Sequence, residues 1–155
     1  MRPPLTLERQ QKIREYANRN GIAVGNLFEN GKFVFPRETE DGVCIFLDRL
    51  TKRCKIHPVK PETCVAGPVT FDINTETGKI EWFLKTHKGC QLAAPLYKDR
   101  AEYAKHVRSA KNEIFRLIHG LDAEALRAVL AVVEPDTIKV DEDKAPPRVL
   151  AKLKP

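Results

Sequence analysis

The sequence predicts an α+β fold, a small domain with two β-hairpins carrying the cysteines, an N-terminal helix and two C-terminal helices. Three observations lead there. The first and last thirds carry apolar stripes at helical spacing beside capping residues. The middle, from Lys32 to Leu84, changes to period two and short runs. Four cysteines, Cys44, Cys54, Cys64 and Cys90, fall in or just after that middle segment. A chain of 155 residues fits one domain, and a hydrophobic share of 42% with a mean hydropathy of −0.40 is enough for one modest core.

The first helix is predicted over Leu7–Arg19. Thr6 is its N-cap, Glu8 puts negative charge in the first turn, Gly21 is the stop, and Ile13, Tyr16 and Ala17 form a narrow apolar face. Ile22–Phe28 adds a short second turn of helix, and Lys32–Phe35 is a strand candidate. Val43–Leu47 and Arg53–Ile56 flank Asp48-Arg49-Leu50-Thr51 and read as the first hairpin. Val69–Ile73 and Ile80–Leu84 flank a polar loop and read as the second, with Val69, Phe71 and Ile73 sharing a face with Ile80, Trp82 and Leu84. Trp82 is expected to anchor the core.

The last third is helical. Over Lys98–Ile118 the residues Tyr103, Val107, Ala110, Ile114 and Leu117 form one stripe, within about 80° at ~100° per residue. Gly120 ends that helix. Asp122 N-caps another reaching Val133, with Leu126, Val129, Leu130 and Val133 facing inward. Residues 1–133 are therefore expected to form the domain, and 134–155 a charged, proline-containing, flexible tail.

The net charge is +6 and the isoelectric point about 9.2, which suits nucleic acid, an acidic protein partner or simply a soluble surface. The densest basic patch, Arg49, Lys52, Arg53, Lys55 and Lys60, contains no aromatic residue for base stacking, so a solvated face is favoured over a nucleic-acid site. No apolar run is long enough to span a membrane, and the amino terminus has no signal-peptide stretch. The expectation is a cytoplasmic protein whose thiols stay reduced, which turns clustered cysteines from disulfides toward metal or catalysis.

The cysteines run Cys44-x9-Cys54-x9-Cys64-x25-Cys90, with no C-x2-C knuckle. If the first hairpin turns through Asp48-Arg49-Leu50, Cys44 faces Cys54 on one side of the ladder, at the ~4.5–5.5 Å between opposed Cβ atoms. A one-residue slip would separate them. Pro61–Cys64 reads as a helical turn, where the helix dipole, Lys55 and Lys60 would lower the Cys64 pKa toward the thiolate that a metal needs. Cys90, after Lys88-Gly89, could close the set. The alternative is that the cysteines are small core residues.

The stretch from Asp41-Gly42-Val43-Cys44-Ile45-Phe46-Leu47 to Arg53-Cys54-Lys55-Ile56-His57 and on to Lys60-Pro61-Glu62-Thr63-Cys64 resembles the YkgJ-like cysteine-cluster family, whose domain is thought to chelate zinc or iron. Cys90 in Gly89-Cys90-Gln91-Leu92 corresponds to a later cysteine of that family, and the resemblance covers about residues 5–97. Members usually carry an upstream C-x2-C-x2-C-C cluster, which this sequence lacks, so the resemblance implies that four cysteines are part of a larger family complement.

Four thiolates suit either tetrahedral zinc or a 4Fe–4S iron–sulfur cluster, and long knuckle-free spacings favour the cluster slightly. His57 and His87, each three residues from a cysteine, are candidate alternate or second-layer ligands; His106 and His119 are expected at the surface. No catalytic residue stands out: there is no phosphate-binding glycine loop, H-E-x-x-H or G-x-S-x-G. The expectation is a non-catalytic metal-binding protein. The alternatives are a redox-active accessory subunit or enzyme using an iron–sulfur cluster, and a basic zinc-dependent nucleic-acid-binding protein.

Overall fold

The computed structural model of the chain describes residues 2–22, 25–91 and 93–155. Helix α1 spans Leu7–Arg19 and begins as its sequence dictates, with the Thr6 hydroxyl accepting from the Arg9 amide at 3.1 Å. Its face of Ile13 and Ala17 is fully buried. Of the turn expected over Ile22–Phe28, Ala23 and Val24 lie outside the described residues, and Phe28 opens a strand instead. Strand β1 (Phe28–Asn30) pairs antiparallel with β2 (Val34–Pro36), and the Leu5 amide bonds the Val34 carbonyl.

The first predicted hairpin is reduced to a short pairing in a shifted register. Val43–Leu47 and Arg53–Ile56 make only isolated bridges, Glu38 to Cys44 and Leu47 to Cys54, separated by tight turns. The physical reason is Asp48, whose carboxylate accepts from the Leu50 and Thr51 amides at 2.9 Å each. That Asx turn widens the loop so that Asp48 N pairs with Arg53 O and shifts the register by three residues. A 3-10 turn at His57–Val59 leads to the five-residue helix α2 (Glu62–Ala66), for which Pro61 is the N-cap.

The second hairpin forms, with the predicted residues sharing one face. Strand β3 (Val69–Asn74) pairs with β4 (Lys79–Lys85) through Val69 to Leu84, Phe71 to Trp82 and Ile73 to Ile80. After α3 (Ala93–Lys98) comes α4 (Arg100–Gly120), N-capped by Asp99, and its Ala110, Ile114, Leu117 and Ile118 pack on this sheet face. Trp82 is fully buried there, edge-on to Phe115 at 5.8 Å. Helix α5 runs from Ala123 to Leu130 behind its Asp122 cap, shorter than predicted. It stops before Val133, which is exposed rather than inward-facing.

The expected flexible tail is corrected. Residues Thr137–Lys144 form β5, the third strand of the sheet in the order β3-β4-β5, and Pro147–Leu153 form α6. Ala145 and Val149 are buried in the main core. The Lys152 ammonium donates to the carbonyls of Ile118, His119 and Leu121, at 3.0, 2.7 and 2.6 Å, and so caps the carboxyl end of α4. A second, smaller core of Leu5, Ile13, Phe28, Phe46 and Ile56 lies under the cysteine loops.

Gly120 is needed for close approach, not only to end a helix. A Cβ there would lie 2.6 Å from Thr6 Cγ2, and Thr6, β-branched and fixed as the α1 cap, has little room to yield. Gly120→Ala should therefore cost about 1–3 kcal/mol, read as a lower denaturation midpoint. An unchanged midpoint would contradict this packing.

Candidate metal centre

Each of the first two cysteines opens a tight turn. The Cys44 carbonyl accepts from Leu47 N at 3.0 Å and the Cys54 carbonyl from His57 N at 3.2 Å. The third residue of each turn, Phe46 or Ile56, is fully buried in the small core. These two apolar anchors hold the turns down while leaving the thiols half-buried above them. Cys64 follows in the first turn of α2, with one side open to solvent.

Electrostatic influence runs from Cys54 to Cys44, and from both of them to Cys64. Burial pushes the Cys44 thiol up first; the Phe46 backbone opposes it, and Cys54 raises it again. The Leu47 backbone acts like that of Phe46. At Cys64, protein packed against the side away from solvent pushes the thiol up to about 11, with Cys54 and then Cys44 adding to the rise and Lys60 opposing it. The expected lowering by the helix dipole and the lysines is thus overturned: a five-residue helix offers little dipole, and crowding and like charges win.

The face-to-face pairing of Cys44 and Cys54 is corrected, since Cys54 lies opposite Leu47 and Cys44 opposite Glu38. Cys90 sits in the loop after β4, its amide bonded to Thr86 O. That loop is tied to the segment before β5, with Thr86 N donating to the Asp136 carbonyl at 2.8 Å. Among the described residues, no three His, Cys, Asp or Glu side chains already converge tightly enough to hold an ion. Four free thiols are donors of the kind that zinc and iron take.

His57 and His87 are both exposed. His106, expected at the surface, is half-buried, and its Nε2 lies 3.1 Å from the Ala66 carbonyl at the end of the helix bearing Cys64. Within the basic patch, Arg49 is paired with Asp41 through contacts of 2.6 and 2.8 Å, while Lys52, Arg53 and Lys55 remain exposed.

The profile of a family described as "CxxCxxCC: Putative zinc- or iron-chelating domain" matches residues 5–114. The chain belongs to this family. It is also similar to an uncharacterized protein of Methanocaldococcus jannaschii, 37% identical over 84 residues, which cover 51% of this chain and 43% of that relative. The match thus spans less than half of the relative's length. No solved structure matches. Among the described residues, no helix is long and apolar enough to cross a membrane.

Replacing Cys54 with serine removes the neighbour that most opposes ionisation of Cys64 after burial itself. In metal-free protein the Cys64 pKa should then fall from about 11 toward the ordinary thiol range, read from alkylation rate against pH. Because the folded thiol titrates above the unfolded one, at about 8.5, metal-free protein should keep this stabilisation below that pH and lose it as pH rises toward 11. A Cys64 titration indifferent to Cys54 would separate the two thiols.

Proposed function

We propose that this chain holds a metal centre through the thiolates of Cys44, Cys54, Cys64 and Cys90, in a reducing compartment such as the cytoplasm. The observation that carries the reading is membership of a family described by zinc or iron chelation, in a chain with four free cysteines of which three fall within 21 residues. The electrostatics of the thiols supports it: Cys54 raises Cys44, and Cys54 and Cys44 both raise Cys64. Cys90, in the loop after β4, is proposed as the fourth ligand.

The favoured occupant is an iron–sulfur cluster, because its ligands come from separate turns and loops without a C-x2-C knuckle; zinc is the alternative. Bound there, a cluster would supply a one-electron centre and zinc a structural cross-link. In either case the protein's own residues bind and orient: Phe46 and Ile56 anchor the turns, and binding draws the thiols inward with release of their protons. The exposed Lys52, Arg53 and Lys55 beside Cys54 suit an acidic protein partner.

Protein purified without oxygen should carry about four irons with visible absorbance if a cluster is bound, or about one zinc without colour. Removing the metal with a chelator should lower stability by on the order of several kcal/mol. Cys44→Ser, Cys54→Ser and Cys64→Ser should each lose most of the bound metal. Protein free of iron and zinc, with four thiols that titrate the same before and after metal is added, would refute the reading.

A further inference from the structure

We infer that Arg9 and Glu62 are positioning residues for the cysteine centre, fixing where α2 presents the Cys64 sulfur; the inference rests on the metal-binding reading above. Arg9 lies on α1, 55 positions before Cys64 in sequence, yet its guanidinium is buried against the segment just ahead of that cysteine. Nη1 donates to the Lys60 carbonyl at 2.9 Å, Nε lies 3.6 Å from Glu62 Oε1, and Nη2 donates to Glu113 Oε2 on α4. Glu62 is 1% exposed, and its Oε1 also accepts from the Thr6 hydroxyl at 2.7 Å. The same Thr6 oxygen caps α1, so a single side chain links the start of α1 to the start of α2.

Helix α2 is held at its other end too, by His106 of α4 at the Ala66 carbonyl and by burial of Ala66 in the sheet core. Cys64 lies midway between these anchors. A five-residue helix has little stability of its own, so the direction of its thiol is set by what grips its ends. Stability alone does not account for desolvating an arginine and two glutamates here, because apolar residues of similar volume usually serve a core as well or better. What such a network supplies is a defined position, and the rigid arginine fork meets three acceptors that a lysine could not span together.

Cobalt(II) tests this, since its sulfur-to-metal charge-transfer absorption reports both affinity and thiolate geometry. Metal-free wild type, Arg9→Lys, Glu62→Gln and Val149→Ala would be titrated with cobalt(II) alone, and each variant's melting temperature recorded. Val149, buried on α6 in the main core, is the packing control. Arg9→Lys and Glu62→Gln should bind cobalt about 10–100-fold more weakly, with an altered charge-transfer spectrum. Val149→Ala should bind as wild type even where its melting temperature falls as far. Wild-type affinity and spectrum in both network variants, or an equal loss in Val149→Ala, overturns the inference. Should Arg9→Lys not fold, Glu62→Gln, which keeps the shape and the acceptor for Thr6, decides alone. Wild type that binds no cobalt would refute the metal reading itself, and this inference with it, whereas wild-type binding with indifferent variants would overturn the positioning role only.

Discussion

Helix α2 joins two cores that otherwise have separate origins. Its last residue, Ala66, is buried in the sheet core with Trp82 and Ile114, while its first, Glu62, is tied to Thr6 and Arg9 of α1, whose Ile13 belongs to the small core. Both attachments hold the short helix that carries Cys64. The close approach of Gly120 to Thr6 brings the end of α4 onto the same junction. Burial of apolar surface supplies most of the driving force for the two layers, but the buried charges and hydrogen bonds of Arg9, Glu62 and Glu113 determine how the layers sit against each other.

The cysteine segment is built differently from the rest. Between β2 and β3 the described backbone is mostly turns and single bridges, and its apolar anchors are few: Phe46, Ile56 and Ala66. A stretch of that kind gains little from ladder hydrogen bonding, so a cross-link among its side chains contributes more to its order than it would in a helix or sheet. Cys44 and Cys64 resist ionisation because they are packed against protein and because neighbouring thiols oppose a further negative charge. A cation placed among them reverses that balance, since it relieves the same repulsion.

Much of this was legible in the sequence where local chemistry decides structure. Thr6 and the spacing of Ile13 and Ala17 define α1 to the residue, and the alternation around Asn74–Lys79 defines the second hairpin and its apolar face. Strand β5 was not legible because Thr137–Lys144 shows no period-two apolar face; it is held by pairing with β4 and by charge, as in the contacts of Lys139 with Glu81 and of Lys111 with Asp143. Helix α6 was hidden by its two prolines, which here stand at its start, where proline is tolerated. At the site, the residues were legible but their arrangement was not. The Asp48 side chain set the register of the first loop, and no spacing rule announces Arg9 as a neighbour of the Lys60–Glu62 segment.

The central claim is that sulfur atoms from separate turns and loops bind one metal centre. X-ray absorption at the metal edge of protein loaded anaerobically with zinc or iron tests it most directly. The account predicts a first shell of sulfur alone at about 2.3 Å, with close to four sulfurs per metal atom and, for a cluster, a second shell of iron. A first shell of oxygen or nitrogen, with one sulfur or none, would contradict it.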